Sequence, residues 1–437
     1  MTLVIGDWVV QAADTAPIAQ GAVRVDGTTI DAVGTADELR RRFPDDDVID
    51  ASGHLVLPGF VNAHVHLYGV LAHGIEVDAA PDGFWSFLDD YWWPKVEDAL
   101  DHDMITTATD WVCAEMLRSG ITTFYDILEA PNALPGALLA CKEIVEARGI
   151  RGVLSFEATE RAGPEIAELG LQENVDLITA AAASELVSGM MCFHTTFTCS
   201  AEYITRAFGL AGDLGVLTHA HCNEGVHEGL WCEEHLGMRT LEFYDRLGVA
   251  GPGFLASQCV QLSEAERAIL AGSGMRVSHM PLANCEVGGG IAPIPELHQA
   301  GVTVGLGSDG YVNDFFEVMR GAFLLHKARL LDPGAMPAST VFAMATEGGA
   351  QALGMDQVGR LAPGYAADLQ IVDASFPTPV SSHNLLEQVV LWRNHSHVRD
   401  VMVNGTWRVR DGQVLDADLD RMRARTHEQA RRLWARS

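Results

Sequence analysis

Residues 56–67 read Val-Leu-Pro-Gly-Phe-Val-Asn-Ala-His-Val-His-Leu, and this stretch decides the fold. Its apolar character predicts a buried strand, which ends with His64 and His66 one residue apart. Alternate residues of a strand point to the same face, so both imidazoles lie on one face and can bind one metal ion. Taken alone, a His-x-His pair is more often explained by chance or by polar packing.

Two later apolar runs also end in residues that bind metals. Residues 215–224 read Gly-Val-Leu-Thr-His-Ala-His-Cys-Asn-Glu and include His221, and residues 302–309 end at Asp309. Three strands could therefore bring these two residues to the histidine pair. Nitrogen and oxygen ligands without thiolate suit Zn²⁺, or Fe²⁺ as the alternative, and an open position lets a bound water lose its proton near neutrality. The combined set predicts a hydrolase site.

Between the two chain ends, segments typical of strands alternate with segments typical of helices, which indicates a parallel α/β fold. Eight strand candidates end near polar residues, namely His66, Asp126, Glu157, His194, His221, Gln258, His279 and Asp309. Active sites of (β/α)8 barrels are assembled at the carboxyl ends of the strands. This placement therefore favours a TIM-like barrel over an open doubly wound sheet.

Both ends of the chain are rich in short β-like stretches separated by turns. Asn-Gly and Asp-Gly hairpin signals occur near the C-terminal end, followed by a short strand and a charged surface helix. We therefore predict one small β-sandwich built from residues 1–57 and 366–437, beside a barrel formed by residues 58–365.

Composition limits the classes of partner. The chain has 437 residues, of which 29 are basic and 59 acidic, giving a formal charge of −30. That charge disfavours nonspecific binding to nucleic acid or to an anionic membrane. The N-terminal stretch has neither a basic segment nor a long apolar core, and no later run reaches the roughly 18 residues that span a bilayer, so we expect neither a signal peptide nor a membrane span. Its eight cysteines form no Cys-x-x-Cys pair. We expect a cytoplasmic protein whose partners are small, neutral or cationic molecules.

The segment after the first barrel strand, about residues 68–105, is unusually long and carries Trp85, Trp92 and Trp93 among acidic residues. Two interpretations stay open: it is a lid over the pocket, or its tryptophans anchor the loop to the barrel or to another subunit. We expect Trp93 to contact the substrate.

Taken together, these residues resemble the amidohydrolase superfamily, in its ATZ/TRZ and cytosine-deaminase-like branch, over essentially the whole chain. Within that branch the sequence is most similar to the SsnA-like aminohydrolases. The similarity rests on Trp92-Trp93, Phe156-Glu-Ala-Thr-Glu-Arg161, Asp309-Gly-Tyr-Val-Asn-Asp-Phe-Phe-Glu317, His326-Lys327 and Phe376-Pro-Thr-Pro379. The resemblance implies a hydrolytic deaminase of an aminated purine, pterin or pyrimidine, and by family analogy a homo-oligomer.

The resemblance also implies roles for residues. The metal ligands would be His64, His66, His221 and Asp309. Asp309 would accept the proton of the attacking water, and Glu224 would protonate the ring nitrogen, although spacing alone fits a solvated helix-start carboxylate equally well. Members with two metals often bridge them with a carbamylated lysine, and none of the three lysines lies at a candidate strand end. One divalent ion is therefore expected, most simply Zn²⁺.

Substrate contacts are implied for His194 and His279, whereas His219 could be a partner behind a metal ligand. The sequence departs from its relatives at Gln258, in Ala256-Ser-Gln-Cys-Val-Gln-Leu-Ser263, where they usually carry histidine. Glutamine can donate and accept hydrogen bonds but cannot carry a proton or bind Zn²⁺ well, so a role in substrate contact remains for it. His73 stands where relatives often have arginine.

Two alternatives to a deaminase stay open. The same chemistry could displace chloride or an alkylamine from a triazine-like ring. The chain could also be a pseudoenzyme that keeps the barrel as a binding module, an idea motivated by Gln258. Retention of the four ligands and of Glu224 argues against the second alternative.

Overall fold

Strands and helices alternate through the computed structural model, which describes residues 1–77 and 80–436. The strands are β1 (Thr2–Val9), β2 (Ile18–Asp26), β3 (Thr29–Thr35), β4 (Asp47–Pro58), β5 (Phe60–Val65), β6 (Ile121–Leu128), β7 (Arg151–Phe156), β8 (Val187–Gly189), β9 (Met191–Cys192), β10 (Thr218–Cys222), β11 (Phe254–Gln258), β12 (Arg276–His279), β13 (Thr303–Leu306), β14 (Leu369–Asp373), β15 (Val398–Val403), β16 (Thr406–Arg410) and β17 (Gln413–Val414).

The α-helices are α1 (Ala36–Arg42), α2 (Phe84–Ser86), α3 (Trp93–Lys95), α4 (His102–Arg118), α5 (Ala137–Arg148), α6 (Pro164–Ala181), α7 (Ala201–Leu214), α8 (Val226–Leu236), α9 (Thr240–Arg246), α10 (Glu264–Ser273), α11 (Ala283–Glu286), α12 (Ile294–Gln299), α13 (Phe315–Leu330), α14 (Ala338–Met344), α15 (Glu347–Ala352), α16 (Leu385–Trp392) and α17 (Leu419–Trp434). Short 3-10 segments lie at Leu67–Ala72, Glu97–Ala99, Pro131–Ala133 and His395–His397, and a π-helical turn at Phe87–Trp92. None of the helices in residues 1–77 and 80–436 is long and apolar enough to cross a bilayer.

Two parallel sheets form the barrel. Their strand orders are β5-β6-β7-β8 and β13-β12-β11-β10-β9. The amide groups of Ser308 and Asp309 both donate to the carbonyl oxygen of His64 over 3.0 Å, which joins the residues after β13 to β5. Every residue of β5 and of β6 is buried, as expected for parallel strands covered by helices. The predicted TIM-like α/β barrel is confirmed.

The fourth predicted barrel strand differs from expectation. It is divided into the short strands β8 and β9, and it ends at Cys192, two residues before His194. His194 is nevertheless held at the carboxyl end of the barrel, because its amide donates to the carbonyl of Ala158 over 3.0 Å. Phe193 likewise donates to His219 over 3.2 Å. Hydrogen bonds to β10 and to the segment after β7 thus replace the missing end of this strand.

The chain termini build a separate eight-stranded sheet in the order β17-β16-β15-β14-β4-β1-β2-β3. The two ends of the chain meet where β14 pairs antiparallel with β4, with Leu369 opposite Pro58. Only the β1 and β4 pair is parallel among the described strands of this sheet. The C-terminal helix α17 returns to the barrel, where the Trp434 indole donates to the Leu71 carbonyl over 2.8 Å. The predicted domain limits stay predictions, and Ser437 lies outside the described residues.

Candidate metal and catalytic site

Strand β5 presents the two histidines of the first motif to one point. The Nε2 atoms of His64 and His66 lie 3.3 Å apart, and both side chains are buried. The Nδ1 atom of His66 lies 2.7 Å from the carbonyl oxygen of Ile127. Because a carbonyl can only accept, Nδ1 carries the proton, which leaves the Nε2 lone pair of His66 for a metal ion.

His221, near the end of β10, is oriented in the same way by a carboxylate. Its Nδ1 lies 2.5 Å from Oε1 of Glu157, the residue that follows β7. Burial alone would lower the pKa of His221, but the adjacent Glu157 outweighs it and raises this pKa to about 9. Burial alone would raise the pKa of Glu157. The neighbouring His221 and His194 outweigh burial and hold this pKa well below its ordinary range. The site thus favours positive charge beside a buried anion.

The donor set fits a single ion. Ring nitrogens of His64, His66 and His221 lie within 4.8 Å of one another. Asp309 Oδ1 is 3.6 Å from His66 Nε2, and Asp309 Oδ2 is 4.0 Å from His64 Nε2. Ligands bound at zinc distances on a tetrahedron are about 3.3 Å apart. The spacings of 3.3, 3.6 and 4.0 Å are at or somewhat above that value, so these residues lie close enough together to hold one small divalent ion.

Asp309 is fixed by two hydrogen bonds. The Gly310 amide donates to its Oδ1 over 2.7 Å, and Gln258 Nε2 donates to its Oδ2 over 2.8 Å. Asp309 and Gln258 both have left-handed backbones, with φ of 61° and 69°. Such conformations cost a non-glycine residue about 1–2 kcal/mol, so other contacts must hold them. Gln258 therefore contacts a predicted metal ligand directly.

Asn284, on α11, completes this arrangement. Its Nδ2 donates to Oε1 of Gln258 in a very short hydrogen bond, and both side chains are buried. A carboxylate only accepts, so Gln258 must turn its NH₂ group towards Asp309 and its oxygen towards a donor. Asn284 supplies that donor. Sequence reasoning missed Asn284, because α11 has only four residues and therefore shows no periodic pattern.

Glu224 follows β10 and lines the same cavity. Burial, reinforced by the charge of Asp309, raises the pKa of Glu224 to about 8, although His221 acts in the opposite direction. Gly289 packs directly against this turn, and a Cβ at Gly289 would lie 2.7 Å from the Glu224 carbonyl oxygen. The glycine run near residue 289 thus allows two loops to approach closely beside the site.

The cavity has a volume of about 420 Å³. Its lining includes His66, His194, His221, Glu224, Gln258, Asp309 and Trp93 among the residues predicted from the sequence. The structure does not bring His279 to the cavity lining. Instead its Nε2 lies 3.0 Å from Nε2 of His326 on α13. His219 does not line the cavity either, and its Nδ1 lies 3.2 Å from the Cys192 sulfur.

His194 and Trp93 form one side of the cavity. Their rings meet edge to face with centroids 5.7 Å apart. His194 Nδ1 lies 2.8 Å from the Thr198 hydroxyl oxygen, which leaves Nε2 for a ligand. Burial lowers the pKa of His194 to about 3, although Glu157 opposes the shift. A neutral imidazole beside an indole suits a flat, uncharged ring.

The long insert forms an aromatic wall of the cavity. The wall consists of Phe84, Phe87, Tyr91, Trp92 and Trp93. Trp85 instead stacks on His227 of α8, with ring centroids 4.0 Å apart. The insert therefore both covers the cavity and packs on the barrel, so each of the two interpretations has contacts in its favour. Asp78 and Ala79 of this insert lie outside the described residues.

Arg161 anchors the end of the insert. Its guanidinium lies 3.1 Å from Glu97, 3.0 Å from Asp98 and 2.5 Å from Glu129. It also lies 4.9 Å from the centroid of Trp93. Sequence reasoning included Arg161 only in a family motif and missed its contacts with these acidic partners, because residues so far apart in the chain share no local pattern.

Comparison with known proteins assigns the family. The amidohydrolase family model matches residues 55–408, and a bacterial imidazolonepropionase-like composite-domain model matches residues 21–45. The chain belongs to the amidohydrolase family. The resemblance inferred from the sequence is thereby confirmed.

Individual relatives cover nearly the whole chain. A 5-methylthioadenosine/S-adenosylhomocysteine deaminase of Syntrophobacter fumaroxidans is 34% identical over 418 residues, which are 94% of this chain and 93% of that protein. A 5'-deoxyadenosine deaminase of Methanothermobacter thermautotrophicus is 34% identical over 84% of this chain and 85% of its own length. An adenosine deaminase from Xanthomonas campestris, crystallised with zinc, matches with a TM-score of 0.90 at 26% identity over 99% of this chain and 98% of its own.

Proposed function

We propose that this amidohydrolase is a metal-dependent deaminase of an aminated nitrogen heterocycle. One observation carries the proposal: Glu224, a carboxyl group that can be protonated near neutrality, lines the same cavity as the histidine and aspartate cluster. A hydrolytic deaminase needs a metal-ligand set and, within reach of it, an acid that can protonate a ring nitrogen.

His64, His66, His221 and Asp309 would hold one divalent ion, and we propose Zn²⁺. When bound, such an ion acidifies a water molecule and so supplies a nucleophile at neutral pH. The site fits this ion because its imidazoles are oriented by Ile127 and by Glu157, and because it contains no thiolate among the described lining residues.

The protein's own side chains supply the proton transfers. Asp309 accepts a proton from the attacking water, and the donor groups of Gln258 and Gly310 hold its carboxylate in place. Glu224 donates a proton to the ring nitrogen beside the reacting carbon, and a second transfer lets the amino group leave as ammonia. His194 and Trp93 orient the flat ring against the cavity wall.

We propose a purine as the ring, since three deaminases of adenosine-type compounds are similar to this chain over most of its length. A 420 Å³ cavity is large enough for a small-molecule ligand. Cytoplasmic location and homo-oligomeric assembly stay predictions of the sequence. A pterin or pyrimidine substrate, and a triazine with a different leaving group, are the alternatives that the experiment must separate.

The test measures ammonia release by zinc-quantified protein from a panel of aminopurines, purine nucleosides, pterins, pyrimidines and triazines. We expect release from at least one purine compound and its loss in Glu224→Gln. Chloride or alkylamine release from a triazine without ammonia would replace the proposal with the hydrolytic alternative. No turnover of any compound by fully loaded protein would favour a binding module.

A further inference from the structure

We propose that the cavity selects uncharged or cationic heterocycles, and that Glu286 determines its discrimination against anionic ring substituents. This inference rests on the proposed function and narrows its substrate class. The observation behind it is the charge of the cavity lining, which includes five carboxyl groups and, among the described residues, neither lysine nor arginine. The five are Glu97, Glu157, Glu224, Glu286 and Asp309.

Four of these five groups already have partners or roles. Glu97 accepts from the Tyr68 hydroxyl over 2.8 Å and from Arg161 over 3.1 Å. Glu157 lies against His221, Asp309 is a predicted metal ligand, and Glu224 is the proposed acid. Only Glu286 is left to recognise a substituent on the substrate.

Glu286 ends α11 and is exposed where it lines the cavity. Within the described part of the chain its carboxylate makes no hydrogen bond and no ion pair. Asp309, His73 and Tyr91 are titratable groups that interact electrostatically with it. His73 Nε2 lies 2.7 Å from the carbonyl of Gly310, so that nitrogen donates its proton there. The Glu286 carboxylate is therefore free to accept from a hydroxyl or amino group of a ligand.

Among the described residues that line the cavity, neither lysine nor arginine is present to compensate an anionic ligand. Arg161 lies over the ring of Trp93, but Glu97, Asp98 and Glu129 surround its guanidinium, and it does not line the cavity. Transferring a phosphate or carboxylate out of water without such a partner is strongly unfavourable. A divalent ion at the cluster would sit at the reacting ring and so would not pair a remote substituent.

The test uses two matched pairs of probes: adenosine with adenosine 5'-monophosphate, and pterin with pterin-6-carboxylate. Affinities are measured by calorimetry on the zinc-loaded Glu224→Gln protein, and kcat and KM on the active enzyme. We expect the uncharged member of at least one pair to be favoured by about tenfold or more, the equivalent of 1.4 kcal/mol.

Glu286→Lys should reduce this preference by about tenfold or more, through a lower KM for the anionic member. Glu286→Gln should give an intermediate preference. Glu202→Lys makes the same charge change on the exposed start of α7 and should leave the preference unaltered.

The two failures can be told apart. Preferential binding of the uncharged probe without ammonia release would support the proposed discrimination against anionic substituents and count against deamination. Equal affinity for the two members of both pairs, or no binding of either member, would overturn the proposed discrimination against anionic substituents. A preference that Glu286→Lys leaves unchanged would also overturn it.

Discussion

Gln258→Leu tests whether the glutamine that replaces the usual histidine positions Asp309. Leucine has nearly the same volume, so the substitution removes the hydrogen bonds without leaving a large cavity. The bond from Gln258 Nε2 to Asp309 Oδ2 is 2.8 Å long and ends on a carboxylate. A hydrogen bond to a charged group contributes about 1.5–3 kcal/mol.

The substitution also lowers the stability of the protein at Asn284. Its buried Nδ2 group would have no acceptor after the substitution, which costs about 1–3 kcal/mol. Allowing for partial relaxation, we expect the free energy of unfolding to fall by about 2–4 kcal/mol. Since about 1.4 kcal/mol is tenfold, we also expect zinc affinity to fall by about tenfold or more, because the carboxylate is no longer held.

The assay is competition for zinc with a coloured chelator, followed by urea unfolding of the same samples. Gln261→Leu is the matched control, since Gln261 follows Gln258 by three residues but donates to the Gly289 carbonyl over 2.6 Å instead of to Asp309. Asn284→Asp should reproduce the loss of zinc affinity by removing the donor that orients the amide. Unchanged zinc affinity in both Gln258→Leu and Asn284→Asp would refute the positioning argument.

Three further substitutions give distinct readouts. Glu224→Gln should lower kcat for ammonia release by about 10²–10⁴-fold while zinc content stays at wild-type level. In chelator-treated protein the same change should raise the melting temperature at pH 8–9 and have little effect near pH 4.5. The reason is that the pKa of Glu224 is raised from 4.5 to about 8 in the folded protein. Its contribution to stability is therefore complete below pH 4.5 and is lost as the pH rises through about 8. Arg161→Met should destabilise the protein by about 3–5 kcal/mol in urea unfolding, because it leaves buried Glu97 and Glu129 without their cation. His64→Ala should abolish stoichiometric zinc binding by elemental analysis, since it removes a buried ligand.

Each of these predictions has an opposing result. Full turnover in Glu224→Gln would remove that residue from the chemistry, and an identical melting temperature of the two proteins across the pH range would contradict its raised pKa. Wild-type stability of Arg161→Met would show that the acidic groups are neutral without it. One zinc per chain in His64→Ala would place the ion elsewhere.

Local sequence was sufficient for several features of the barrel. The alternation of strand-like and helix-like segments gave its class, and the polar residues after the apolar runs marked its carboxyl end. The two-residue period of a strand placed His64 and His66 on one face before any tertiary information. The same reasoning brought His221 and Asp309 to them, which the distances now show, whereas their roles as ligands await the zinc measurements.

Tertiary structure decided what local sequence could not distinguish. His194 and His279 both follow or end apolar runs, yet of these two only His194 lines the cavity. The ring of His279 instead contacts His326 on α13. Glu157 after β7, and Asn284 and Glu286 on α11, become neighbours of the site through contacts between two distant segments of the chain. The sequence by itself determined which faces and ends of strands carry reactive groups, because those follow from backbone periodicity. Which of those groups meet, and which partner holds each in place, depends on side-chain contacts between distant segments, and packing alone fixes these.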